Sequence, residues 1–292
     1  MTQPLTLRRD AEIAASTLPA LLAKADHLAS GVLLGEHGRR RAGQGDDFWQ
    51  YRPMMQGDSL RSIDWRRSAK GDAQFVRDRE WQIAQSVILW LDQGASMQFA
   101  GTKDTESKAS RARVLMLAMA ILLIRGGERV GLTGFTLPPR RGEQQILRLA
   151  EAFSTDDAQD YAPPEARGMI PHAKAVFASD FLGDIDAVEA ALAKAADRGV
   201  RGVLLQVLDP MEEAFPFEGR TIFESVGRTI SFETLKAKDL RDRYLDRLNE
   251  RRDRLQQLCR ATGWQFNCHH TNESAQSALL WMWRAFDGGA AR

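Results

Sequence analysis

From residue 86 onward the apolar positions fall into two alternating rhythms. Val87, Ile88, Leu89, Trp90 and Leu91 form an unbroken apolar run, the pattern of a strand buried on both faces. Over about 107–125, Val114, Leu117, Ala118, Ile121 and Leu122 share one face of a helix. Val130-Gly131-Leu132 predicts a second strand, and a helix near 142–154 leads through Pro163-Pro164 to the strand Ala175 to Ala178. The Ala-rich stretch Asp184 to Arg198 reads as a helix closed by Gly199, before the strand Val203 to Leu208. A long charge-laced helix marked by Leu240, Tyr244, Leu248, Leu255 and Leu258 ends near Gly263. The strand Trp264 to Cys268 and a helix from about Asn272 to Phe286, with Thr271 as its expected N-cap, complete the series. Strands alternating with helices predict an α/β fold with a doubly wound, mostly parallel sheet covered on both faces.

The first 84 residues behave differently. Residues 8–30 have helical spacing at Leu18, Leu21, Leu22, Ala25 and Leu28. A segment rich in Gly, Arg and Asp follows, and a strand-like stretch around Phe75, Val76 and Trp81 marks it as irregular β structure. The expected organisation is an N-terminal helix (1–30), an irregular β-rich segment (31–84) and the α/β core (85–292), with an insertion at about 209–238 where Pro210 and Pro216 break the rhythm.

Composition removes several function classes. Forty Lys and Arg against thirty-nine Asp and Glu leave a net charge of +1, so no global field draws the protein to nucleic acid or an anionic membrane. Cys259 and Cys268 are the only cysteines, without paired spacing or a matching His pattern, which predicts reduced thiols and neither a disulfide framework nor a zinc site. The longest uncharged apolar run, Val114 to Ile124, falls short of the roughly 20 residues that span a bilayer. Early charges at Arg8, Arg9, Asp10 and Glu12 interrupt any signal-peptide apolar region. The expectation is a cytoplasmic protein without membrane insertion.

In such sheets ligands bind outside the carboxyl ends of the strands. There the sequence offers Asp92-Gln93-Gly94-Ala95-Ser96 after the first core strand and Ser179-Asp180 after a later one. Carboxylates with hydroxyls suit a hard cation such as Mg²⁺ or Mn²⁺. The arrangement resembles the metal-ion-dependent adhesion site of von Willebrand factor A (vWA) domains, Asp-x-Ser-x-Ser completed by a Thr and a second Asp, and the resemblance implies a sheet of vWA/Rossmann-like type. By that resemblance Asp92 and Ser96 take the first and last positions and Asp180 the second acid. Thr155 is the first candidate for the threonine, with Thr133 and Thr136 behind it. Gly94 stands where the middle hydroxyl belongs, so the expected site is degenerate and its binding weak. The alternative is that both acids cap neighbouring turns and pair with local donors. No P-loop, Gly-x-Ser-x-Gly or His-Glu-x-x-His pattern is present, so no catalytic residue is assigned.

The most specific stretch lies upstream: Tyr51-Arg52, Gly57-Asp58, Arg61-Ser62-Ile63-Asp64-Trp65, Ser68-Ala69, then Val76-Arg77 and Glu80. It resembles the signature of a bacterial family, domain of unknown function 58, and the likeness continues through Asp92, Ser96, Val130-Gly131 and Ser179-Asp180. The resemblance implies a vWA-like core and work alongside a MoxR-type AAA+ ATPase in assembling or maturing a client protein, with no established enzymatic activity. Gly57, Asp58, Arg61, Asp64, Trp65, Ser68 and Arg77 are expected to be structural. The mixed charges suggest an ion-pair lattice, with Ile63 and Trp65 as its apolar anchor. Arg39-Arg40-Arg41 with Phe48, Trp49 and Tyr51 supports a nucleic-acid alternative, but the acids in the same span oppose it. The expected function is therefore a docking or adaptor module. The competing reading is a metal-assisted hydrolase or phosphoryl-transfer enzyme using Asp92 and Asp180.

Overall fold

The computed structural model describes residues 19–288 apart from 33–41, 44–46, 56–57, 61–62, 72, 81–84, 103–104, 136, 158, 166, 220, 225–230 and 235–237. The chain forms two compact units, Gly35–Ala84 and the remainder.

In the smaller unit, β1 (Ala42–Gly43), β2 (Asp47–Pro53) and β3 (Phe75–Glu80) form an antiparallel sheet in the order β1-β3-β2. The signature residues organise the chain between β2 and β3. Asp64 is the N-cap of the short helix α2 (Trp65–Ser68), accepting from the Arg67 N–H at 3.0 Å, and it also accepts from the Tyr51 hydroxyl at 3.2 Å. The Ser68 hydroxyl donates to the Asp64 carbonyl and accepts from the Phe75 N–H, tying α2 to β3. Asp58 closes a turn by accepting from the Met55 N–H at 2.7 Å. The Arg67 guanidinium stacks 4.4 Å from the centre of the Tyr51 ring. Ile63 bridges to Val76 and is buried. Trp65, expected beside it as an anchor, is instead 60% exposed, because the Asp64 cap turns the chain there into α2, a helix with no buried residue. Gly57, Arg61 and the Arg77 side chain, like Arg39–Arg41 and Thr136, lie outside what is described.

The larger unit is built on β4 (Ser86–Leu91), β5 (Arg129–Leu132), β6 (Lys174–Ser179), β7 (Arg201–Leu208) and β10 (Gln265–His270). These five are parallel throughout, in the order β10-β7-β6-β4-β5. The helices are α1 (residues 19–30), α3 (Lys108–Arg125), α4 (Glu143–Phe153), α5 (Ile185–Asp197), α6 (Pro210–Ala214), α7 (Lys238–Thr262) and α8 (Ala275–Gly288). Period-two alternation separates two cores. Val87, Leu89 and Leu91 face Leu115, Met119 and Leu122 of α3, with Leu279 and Met282 of α8 and Ala25 and Ala29 of α1. Ile88 and Trp90 face the other way, onto Val188 and Leu192 of α5 and Leu255 and Leu258 of α7. Helices on both faces make the sheet doubly wound, as the continuous apolar runs require.

α3 is buried almost all round from its first residue, Lys108. The insertion folds as α6 and a hairpin of β8 (Thr221–Glu224) and β9 (Ser231–Thr234). The expected cap of the last helix is not a cap. The Thr271 N–H extends the β10–β7 ladder to the Leu208 carbonyl and its hydroxyl donates to Asp209, so α8 starts four residues later. Among the described residues, no helix is long and apolar enough to cross a membrane.

Candidate functional site

The sheet order places a switch point between β4 and β6, where successive connections leave in opposite directions. Asp92 and Ser179-Asp180 are the residues just beyond the carboxyl ends of those two strands. The structure therefore brings the two sequence-predicted acids to one place.

Asp92 is only 3% exposed. Its Oδ1 accepts from the Gly94 N–H at 2.8 Å and its Oδ2 from the Ser179 hydroxyl at 2.6 Å. Burial raises its pKa to about 6; the Asp180 charge adds to the rise, while the Ser179 hydroxyl and the N–H groups of Gly94 and Ala162 oppose it. Asp180 is fully buried. Its Oδ1 accepts from the Leu182 N–H at 3.0 Å, its N–H rests on the Met97 sulfur, and its carbonyl accepts from Gln206. The following residue, Phe181, sits at φ 52°, a costly conformation for an aromatic side chain. Arg251 of α7 holds that turn by donating to the carbonyls of Phe181 and Gly183.

The remaining oxygen of Asp180 meets a cation that belongs to the chain itself. Lys108, 1% exposed, donates from Nζ to Asp180 Oδ2 at 2.8 Å and to Glu212 Oε1 at 2.6 Å. Burial works against its charge, but Asp180 and Glu212 outweigh it and hold the ammonium above the usual lysine range. The second oxygen of Glu212 accepts from the Asp209 N–H, closing a capping box in which the Asp209 side chain accepts from the first turn of α6. Asp209 also accepts from the Gly101 N–H. Both oxygens of all four acids at these strand ends thus have hydrogen-bond or ion-pair partners.

The other predicted ligands are arranged less favourably for a metal. The Ser96 hydroxyl is buried in the same loop without a hydrogen-bond partner among the described residues. Thr155 is exposed at the end of α4; its hydroxyl donates to the Ala152 carbonyl and accepts from Gln93, so it is bound locally. Thr133 is buried just beyond β5.

Gly94 is explained by its surroundings. Asp157, Gln159 and Asp160 lie across the Asp92 loop through three backbone hydrogen bonds: Asp157 N–H to Gln93, Ala95 N–H to Gln159 and Ser96 N–H to Asp160. A Cβ at position 94 would stand 2.9 Å from the Asp160 carbonyl oxygen and 3.0 Å from the Ala162 nitrogen. The space of the missing middle hydroxyl is filled by this crossing strand of chain. Gly94→Ser is therefore expected to destabilise the protein by about 1–3 kcal/mol and to gain no affinity for Mg²⁺. Urea midpoints and calorimetric titration of parent and variant check both parts.

Lys108 and Glu212 went unassigned in the sequence, although signals existed for each. Lys108 stands in the first turn of a helix that is buried over most of its length, so its ammonium needs an internal partner. Asp209-Pro210-Met211-Glu212 is a capping-box pattern.

A model of the family described as "Protein of unknown function DUF58" matches residues 50–254, from the signature segment through the sheet and most of α7. The chain belongs to the DUF58 family. This DUF58 chain is 29% identical over 212 residues to the uncharacterized proteins Mb1516 of Mycobacterium bovis and Rv1480 of Mycobacterium tuberculosis, covering 66% of itself and 65% of each relative. It thus spans about 65% of the length of the curated relatives it matches. Among solved structures, an aerotolerance-related membrane protein from Bacteroides fragilis aligns with a TM-score of 0.42 at 15% identity, covering 70% of this chain and 100% of that one. The conserved hypothetical protein BatB from Bacteroides thetaiotaomicron aligns with a TM-score of 0.37 at 15% identity, covering 68% and 97%.

Proposed function

We propose that this DUF58 chain is a non-enzymatic, vWA-like docking module that works with a MoxR-type AAA+ ATPase in assembling or maturing other proteins. The observation that carries the reading is the state of the strand-end acids. Asp92 and Asp180 are buried with both oxygens engaged, and Lys108, paired with Asp180 and Glu212, lies where a divalent cation would otherwise balance the acids. Beside them the strand ends open into a cleft of about 620 Å³, lined in part by Gln93, Thr133, Phe153, Pro164, Glu165 and Arg167. A segment of a partner protein docks there in this account. Cytoplasmic placement is part of the proposal and is supported by the two free thiols, Cys259 and Cys268.

One observation favours an enzyme instead. A carboxyl group raised to about 6 suits general acid–base chemistry near neutral pH, but Asp92 is buried and both its oxygens are engaged. The test pairs binding with turnover. Titrating the full chain with the purified ATPase should give saturable binding, weakened about tenfold or more by Arg167→Asp, a rim change of the kind that alters encounter between charged surfaces. The melting temperature should not move. Hydrolysis of generic phosphoesters in Mg²⁺ or Mn²⁺, abolished by Asp92→Asn, is the result that would replace docking with catalysis.

A further inference from the structure

A second cluster of ligating side chains lies on the other side of β7, where β10 ends. Strand alternation puts Cys268 and His270 on one side of β10, and α6, entered directly from β7, brings Glu213 to them. One ligand atom from each of Glu213, Cys268 and His270 lies within 4.8 Å of the others, and all three residues are half-buried. Sequence spacing does not suggest this grouping, because the strand supplies only two of the three and the third comes from a distant element.

The imidazole of His270 carries the decisive geometry. Its Nδ1 lies 3.4 Å from the Glu273 carboxylate, the usual outer partner that fixes a ligating histidine. Its Nε2 lies 3.0 Å from Glu213 Oε2, yet that buried nitrogen has no hydrogen bond of acceptable geometry among the described residues. With the ring proton on Nδ1 and directed to Glu273, a nitrogen lone pair and a carboxylate oxygen face each other at close range. A cation held by both atoms, the ring's own second proton or a metal ion, relieves that contact.

Arg252 supplies part of that charge: its Nη2 pairs with Glu213 and reaches Cys268 Sγ at 3.8 Å. Its seating is incomplete, because its Nε is buried without a partner among the described residues. His269, on the opposite side of the strand, is buried and supplies no ligand atom, although its Nδ1 lies 3.4 Å from the other oxygen of Glu273.

The geometry points to a transition-metal site, with Cys268 Sγ, His270 Nε2 and Glu213 as three ligands of a Zn²⁺ ion. A water completes the tetrahedron, and Arg252 is displaced when the ion enters. Sulfur, imidazole nitrogen and carboxylate oxygen are the zinc donor set, and ligand distances of ~2.0–2.3 Å require only a small contraction of this cluster. On binding, the Cys268 S–H bond breaks, its proton passes to solvent, and the sulfur electron pair forms the bond to zinc. The site does not depend on the docking reading.

The full chain, stripped of metal by a chelator and kept reduced, is titrated with Zn²⁺ against a chromophoric chelator and with Co²⁺ in a spectrophotometer. One equivalent should bind, with the thiolate-to-cobalt charge-transfer band and the visible bands of a tetrahedral site. Cys268→Ser should remove the charge-transfer band and weaken Zn²⁺ binding by more than ~100-fold, while Glu273→Gln weakens it ~10–100-fold. Cys259→Ala should leave both unchanged, and Arg252→Leu should tighten binding by removing the competing cation. The assignment is overturned if neither the parent nor a folded Arg252→Leu variant shows the cobalt band, or if the band survives Cys268→Ser.

Discussion

Lys108→Met is expected to lower stability by about 3–5 kcal/mol, the cost of stripping one partner from a buried ion pair and leaving the other charge uncompensated. In a unit of this size that corresponds to a fall in melting temperature of roughly 10 °C or more. Methionine preserves most of the length and apolar volume of lysine, so the loss reports charge rather than a cavity. Glu212 can relieve its own burial by taking a proton, but Asp180 is fully buried between Lys108 and the Leu182 N–H. Adding Asp180→Asn to Lys108→Met should therefore restore part of the loss, and the double variant should be more stable than the sum of the two single effects allows. Thermal and urea unfolding of the four proteins decides it. A Lys108→Met variant that melts with the parent would mean that the ammonium does not hold these strand ends together.

Asp92→Asn tests the same site through pH. The Asp92 carboxyl is raised in the folded protein from an ordinary value of 3.8 to about 6. Its contribution to stability is thus fully present below the unfolded value and is lost as pH rises through about 6. The shift is worth ~3 kcal/mol when complete. Asparagine does not titrate, keeps an oxygen for the Gly94 N–H, and carries a pH-independent offset from the re-aimed Ser179 hydroxyl. The stability of Asp92→Asn relative to the parent should therefore rise by about 2–3 kcal/mol between about pH 4 and about pH 7.5. A pH-independent difference would mean that Asp92 titrates normally and is better solvated than its burial implies.

The sheet was legible because β4, β6 and β7 lie in its interior and must be apolar on both faces. Val87 to Leu91, Ala175 to Ala178 and Val203 to Leu208 carry that requirement in their composition. Strand ends, and with them Asp92 and Asp180, followed from the same runs. What periodicity does not carry is which side chains from other elements reach those ends. Lys108 and Glu212 are distant in sequence from Asp180, and only α3 and α6 packing over the sheet edge brings them together. Gly94 was legible as a departure from a metal-site pattern, but its cause was not, because the backbone of Asp160 and Ala162 that crowds it belongs to irregular chain with no periodic signature. Trp65 misled for a related reason. An aromatic residue beside a buried isoleucine suggests an anchor, whereas the Asp64 cap turns the chain into a helix at that point and leaves the ring exposed.

In the proposed reading, the chain's own ammonium occupies the place of a divalent cation at the switch point. A titration of the full chain with Mn²⁺, followed by the loss of the free-ion electron paramagnetic resonance signal, addresses it most directly, with Cys268→Ser as background so that the separate cluster at the end of β10 is silent. The Cys268→Ser protein should take up no Mn²⁺ at the strand ends, so that adding Asp92→Asn or Asp180→Asn leaves the titration unchanged. Stoichiometric uptake by the Lys108-containing protein, abolished by either of those two substitutions, would contradict it.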